Sequence, residues 1–191
     1  ATDYAYVHAD FTVVAPRVAG TISQVLVEDH QQVAPGDLLA MLDDRDFATA
    51  LAGARARVDG ARAAIDALQA QQARQQAAIR QAAAAIDADD ASLSLARAEL
   101  ARYRSLAAEG SGTVQQRQQA QSRLDVLQAG RAQHLAALEA ARRQADVLEA
   151  RLREARASLA QAEAARTAAQ LQLSYTRITA PVGGMVGHRT L

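Results

Sequence analysis

The sequence predicts a mainly α-helical chain with a small β part: a long antiparallel coiled-coil hairpin inserted into a split β-domain. Three observations predict it. Val14-Ala15-Pro16-Arg17-Val18-Ala19-Gly20-Thr21-Ile22 and Ile178-Thr179-Ala180-Pro181-Val182-Gly183-Gly184-Met185-Val186 spell nearly the same phrase of β-branched residues, Pro and Gly at opposite ends of the chain. A phrase that recurs on both sides of an insert reads as one β-domain cut in two. Between the copies, apolar residues recur every seven positions, the signature of a coiled-coil seam. Finally, half of the residues are hydrophobic but only 3% are aromatic, and Ala alone supplies about a quarter of the chain, a composition suited to long helices and unable to fill a deep globular core.

The β part comes first. From Phe11 to Leu42, short runs of Val, Ile and Leu are punctuated by Pro16, Gly20 and Pro35-Gly36. They predict three or four short strands, Thr12–Val14 among them, with Pro16, Gly20 and Gly36 as turn residues. Pro35 fixes φ and Gly36 supplies a positive φ in a tight turn. Such a half-sandwich leaves one face uncovered, so its partner is expected after Leu173, where Pro181 and Gly184 mark the corresponding turns. The expected division is residues 1–43 for the first β half with its entry strand, 44–173 for the hairpin, and 174–191 for the start of the second half. The chain begins abruptly and stops within a strand-like phrase, and is expected to be a piece of something larger.

The helical insert starts where Asp43, Asp44 and Asp46 offer carboxylates to free backbone N–H groups and to the positive end of the helix dipole. Its first arm carries Leu51, Val58, Ile65, Ile79, Ile86, Leu93 and Leu100 at heptad spacing. Ala54, Ala61, Leu68, Ala82, Ala96 and Tyr103 follow three residues after members of that series. Large residues at one seam position and mainly small ones at the other allow close approach of the two helices. Near residues 109–113, Glu109-Gly110-Ser111-Gly112 ends the arm, and Thr113 with Gln116 reads as a capping box opening the next. The return arm carries Leu124, Leu127, Leu138, Leu148, Leu152, Ala155, Leu159 and Ala162. Arms of about 60 residues give a hairpin on the order of 90 Å. With the turn centred near Gly110, the group Asp87, Asp89 and Asp90 faces Arg131 and His134. Asp89 and Arg131 fall at seam positions, where a pair would fix register. Gln72 and Gln75 interrupt the seam in mid-arm.

Composition excludes several functions. Twenty-one basic and 21 acidic residues cancel, and no block of one sign stands out to select nucleic acid. The chain has no Lys, Asn, Cys or Trp, so neither a disulfide framework nor thiolate chemistry is available. His8, His30, His134 and His188 are scattered without metal-ligand spacing, and no catalytic constellation can be assembled. The expectation is a protein that is no enzyme and holds no metal or cofactor. No run of about 18 apolar residues is present to span a membrane.

The residues carry a resemblance. V-x-x-P-x-V-x-G-x-I, followed by V-x-x-x-Q-x-V-x-x-G-D-x-L-x-x-L-D, resembles the first half of a lipoyl/biotinyl-like β-sandwich, and Thr176–Val186 resembles the start of its second half. Carriers of that fold attach their cofactor to a Lys at the turn between the halves. This chain has no Lys, and the hairpin occupies that turn, so cofactor carriage is excluded. What remains is similar to the periplasmic adaptor, or membrane fusion protein, family of tripartite efflux and secretion systems (HlyD/EmrA-type). Thr2-Asp3-Tyr4-Ala5-Tyr6-Val7 is similar to the entry sequence of the EmrA-type branch.

The resemblance implies a periplasmic adaptor anchored to the inner membrane by an N-terminal segment. It bridges an inner-membrane transporter, of major-facilitator type in the EmrA-type branch, and an outer-membrane channel protein, and it self-associates as a trimer or hexamer. It further implies that Arg102, Leu106 and Thr113 form a partner-binding tip motif, with Thr113 where the family has Ser. The plainer reading of the same residues is a solvated helix residue, a last-turn seam residue and an N-cap. A type I secretion adaptor, or a structural spacer and oligomerisation module, is the alternative.

Overall fold

The computed structural model describes residues 11–187. Five short strands and two long helices follow in the order β1 (Ile22–Val25), β2 (Gln32–Val33), β3 (Leu38–Leu42), α1 (Arg45–Ala108), α2 (Val114–Ser174), β4 (Arg177–Thr179) and β5 (Gly184–Met185). Two compact units result. Of the described residues, one holds 11–61 with 158–187, and the other holds Arg62–Ala157.

In the first unit, each half of the split β-domain supplies what the other lacks. β3 lies between β1 and β4, antiparallel to both, while β2 pairs antiparallel with β5. Every residue of β3 is at least half-buried, as a central strand requires. The junction is tied by backbone bonds. Leu42 N–H donates to the Thr176 carbonyl at 2.8 Å, Gly36 N–H to the Ala180 carbonyl at 2.8 Å, and Ala180 N–H to the Asp37 carbonyl at 2.8 Å. Thr176 is 2% exposed, and its hydroxyl donates to the Leu173 carbonyl at 2.7 Å, which satisfies the one buried polar side chain among the described residues.

The turn Ala34–Asp37 has Gly36 at φ 91°, and Asp37 N–H donates to the Ala34 carbonyl at 3.2 Å. Pro at the second position and a positive-φ Gly at the third are what a type II turn demands. Gly183 packs beside Pro35, with Pro35 Cδ 3.4 Å from where a Cβ would stand. The other expected turn residues divide. Pro16 leads into a bend at residues 17 and 18, and Pro181 begins the bend at 181 and 182. Gly20 follows its bend and sits against Leu42. Gly184 lies inside β5 opposite Val33 and is not a turn residue.

The run Thr12–Val14 is not a strand. Its neighbour Phe11 and its own Val13 are about nine-tenths exposed. β propensity without a cross-strand partner is not enough to make a strand, since the ladder bonds come from the neighbour.

At the start of α1, Asp43 accepts from the Arg45 backbone N–H at 3.2 Å and grips its guanidinium through Nε and Nη2, the latter at 2.6 Å. The Arg45 side-chain hydrogen bond, aided by the backbone one, holds the Asp43 carboxyl down at about 2. A carboxyl held below its usual value near 3.8 contributes stability that is present above that value and disappears as pH falls through about 2. An NMR titration of the Asp43 carboxyl should therefore give a midpoint near 2. Arg45→Ala should return it toward 4, and a wild-type midpoint near 4 would show that the pair is not formed.

In the helical unit, seam residues are buried as heptad spacing requires. Ile86, Leu93, Ala96 and Leu100 of α1 and Ala120, Leu124, Leu138, Leu148 and Leu152 of α2 are all under 9% exposed. Leu93, Ala96, Leu100, Ala120 and Leu124 form one cluster, flanked by Tyr103 and Leu127. Gln75 interrupts the seam without being orphaned, since its Nε2 donates to the Ala141 carbonyl at 2.7 Å.

Candidate functional site at the hairpin tip

α1 ends in a sequence of turns dictated by its last residues. Gly110 has φ 74°, a conformation that a side chain disfavours. Ser111 and Gly112 N–H groups both donate to the Leu106 carbonyl, at 3.0 and 2.9 Å. At Gly112 the reason for glycine is space. A Cβ there would lie 2.9 Å from Ala107 N and 3.0 Å from both Leu106 C and Leu106 Cβ.

α2 opens with a reciprocal capping box. Gln116 N–H donates to Thr113 Oγ1 at 3.2 Å, and Thr113 N–H donates to Gln116 Oε1 at 3.3 Å. Arg102 is exposed, with its guanidinium carbon 5.2 Å from the centroid of the Tyr103 ring. Leu106 is half-buried, and Val114 is 58% exposed just past the cap. The three expected tip residues therefore sit at one end of the hairpin, in the last turns of α1 and the loop before α2, and each also serves that local structure.

Further from the turn, an ion pair and a carboxylate–imidazole hydrogen bond cross between the helices. His134 Nδ1 lies 2.5 Å from Asp89 Oδ2, and Arg131 Nε donates to Asp90 Oδ1 at 2.5 Å. The seam pair expected from spacing, Asp89 with Arg131, is thus replaced. Arg131 bonds the neighbouring Asp90, and Asp89 takes His134. Adjacent helical residues point about 100° apart, so a small offset between the helices exchanges partners. The Arg131 hydrogen bond holds the Asp90 carboxyl below its usual range, and Asp90 raises Arg131 in turn. Asp89 is the better covered carboxylate, with its side chain 18% exposed. A double-mutant cycle with Asp89→Asn and His134→Gln should give a coupling of about 1 kcal/mol in thermal unfolding. A coupling of zero would remove the pair from the register argument.

Neither His30 nor His134 has company for a metal, as no group of three or more His, Cys, Asp or Glu side chains converges among the described residues. His8, His188 and the 2–7 entry sequence lie outside the described residues. No described helix is long and apolar enough to cross a membrane.

A hairpin inserted between two halves of one small β-domain, whose strands from both halves pair in two sheets, is the arrangement of a known domain. Residues 11–191 match the family model described as RND MFP, barrel-sandwich hybrid domain. The chain belongs to the RND membrane fusion protein family. Within the curated members, it is 33% identical over 114 residues to the "Colistin resistance protein EmrA" of Acinetobacter baumannii, a stretch covering 60% of this chain and 32% of that protein. It is 30% identical over 179 residues to the "Multidrug resistance protein MdtA" of Cronobacter turicensis, covering 94% of this chain and 30% of that one. The chain thus spans about a third of the length of these curated relatives. The solved periplasmic adaptor protein EmrA aligns with 94% of this chain and 66% of its own, at 15% identity and a TM-score of 0.42.

Reading the sequence missed three features of this membrane fusion protein domain. Thr176 is a buried polar group, satisfied locally by the Leu173 carbonyl and covered where its own carbonyl accepts from Leu42 N–H. Gly112 was one of a turn-forming pair of glycines, with no sign that its role is close approach. The third is a concentration of arginines: Arg102 and Arg104 precede the turn and Arg117 and Arg123 follow it, so no window of sequence shows them as a block.

Proposed function

We propose that this chain is the hairpin-bearing part of a periplasmic adaptor in a tripartite multidrug efflux pump. The adaptor bridges an inner-membrane transporter and an outer-membrane channel, does no chemistry of its own, and works as part of a ring of its own copies. The observation that carries this reading is the family match over residues 11–191, joined to a hairpin of two helices of 64 and 61 residues. A long hairpin with a preorganised tip suits a spacer that docks at its end, and the names of the EmrA and MdtA relatives supply the drug-resistance context. For the transporter, the EmrA-type entry sequence and the EmrA relative favour the major-facilitator type, whereas the matching family model is the RND one. Arg102, Leu106 and Thr113 are proposed as part of the docking end.

The test uses the absence of Cys from this chain, with any Cys elsewhere in the full-length protein first replaced by Ser. A single Val114→Cys in the full-length protein places a reactive group at an exposed site that leaves the Thr113 cap intact. Cross-linking in intact cells should capture an outer-membrane channel, and a Cys at Ala83 should not. Capture of no envelope partner from the tip would leave only the spacer reading.

A further inference from the structure

We infer that the hairpin tip is a basic docking head whose partner presents carboxylates, and that it does not dock on a second identical tip. This inference rests on the docking reading proposed above. Residues 101–124, the last two turns of α1, the loop and the first three turns of α2, carry four arginines and one acid, Glu109, and the next acids on either side are Glu99 and Asp125. The excess is therefore greatest at the turn itself, where Arg102, Arg104 and Arg117 are set against Glu109 alone in a chain that is neutral overall. The connecting turn places both pairs at the same end of the hairpin, where Arg104 on α1 donates through Nη2 to Gln121 Oε1 on α2 at 2.8 Å.

Of the four arginines, only Arg123 has an ion-pair partner among the described residues. Arg104 bonds a neutral amide, and Arg102 lies over the Tyr103 ring. Arg117 has no ion-pair partner among the described residues. Arg123 meets Glu99 at a loose 3.7 Å with its side chain 63% exposed. Glu109 is already engaged by the Ser105 hydroxyl at 3.1 Å. Between the cations lie exposed Val114 and a run of glutamines, Gln115, Gln116, Gln118 and Gln119. Arginines separated by neutral donors and acceptors suit individually placed carboxylates on a protein surface, each taken by a planar guanidinium. Two copies of this tip meeting head-on would set like charges against each other, which costs affinity and selects against that partner.

The lack of Lys in this chain makes a Lys placed at the tip the one side-chain amine of the hairpin, so a cross-linked tip peptide is assignable. A zero-length carbodiimide joins amines to carboxylates and leaves guanidinium groups alone. Arg117→Lys is introduced into the full-length adaptor in its native membranes, and cross-linked peptides are sequenced. The expected product joins the new amine to an Asp or Glu of an outer-membrane protein. In parallel, Arg102→Glu with Arg117→Glu should cut capture through Val114→Cys by at least about tenfold, whereas Arg80→Glu in mid-arm should not. Undiminished capture through Val114→Cys, with no carboxylate coupling from Arg117→Lys, would overturn the acidic partner while leaving docking intact. Coupling only to another copy of the chain would overturn it as well. If Val114→Cys captures no outer-membrane protein, the docking reading itself falls.

Discussion

Leu93→Ala is expected to remove about 3 kcal/mol from the stability of the hairpin, while Leu95→Ala, two residues along, should change it by no more than about 0.5 kcal/mol. The two residues share type, helix and distance from the turn, so helix propensity cancels between them. Leu93 is 1% exposed in the cluster with Ala96, Leu100, Ala120 and Leu124, whereas Leu95 is 57% exposed. Ala96 and Ala120 offer no flexible side chain to collapse into the space left by the lost isobutyl group, so the cavity term adds to the lost transfer energy. Urea unfolding followed by far-UV circular dichroism measures both. Equal losses at the two positions would contradict the seam.

Gly112→Ala is expected to cost roughly 1–3 kcal/mol and to loosen the tip, because the added methyl meets backbone that cannot swing aside. Its closest contacts are Ala107 N and the Leu106 carbonyl carbon, and Leu106 is the residue whose carbonyl accepts both Ser111 and Gly112. Relief must come by moving the loop, which displaces Thr113 and Val114 with it. The variant should therefore also lower cross-linking through Val114→Cys. Gly60→Ala is the control. That position lies in the exposed interior of α1 with nothing within 4 Å of a new Cβ, and the change should stabilise by roughly 0.5–1 kcal/mol. If Gly112→Ala proves as benign as Gly60→Ala, the close approach at the tip is not present in solution.

Local signals in the sequence carried most of the architecture. The heptad run, the G-S-G stop and the Thr113–Gln116 box act over a turn or two of chain, and each is found where the residues place it. The same holds for Pro35-Gly36, whose turn needs only its own φ values. Local signals failed where a strand needed a partner. Thr12–Val14 has the residues of a strand but no ladder, while Gly184, with the residue type of a turn, is paired with Val33 in β5. Of the candidate site, the positions of Arg102, Leu106 and Thr113 could be read in the sequence, and the charge they belong to could not.

The sequence by itself determined that this chain is a helical hairpin set into a split β-domain, because hydrophobic period, caps and turn chemistry are properties of neighbouring residues. Only the tertiary structure decided which residues meet. It joined β3 to β4 and β2 to β5, gave Asp89 to His134 and Asp90 to Arg131, pressed Gly112 against Leu106 and Ala107, and gathered at one end arginines that the turn keeps apart in sequence. Those outcomes depend on the offset between two helices and on strands separated by more than a hundred residues. A shift of one residue turns a side chain by about 100° on a helix and to the opposite face of a strand.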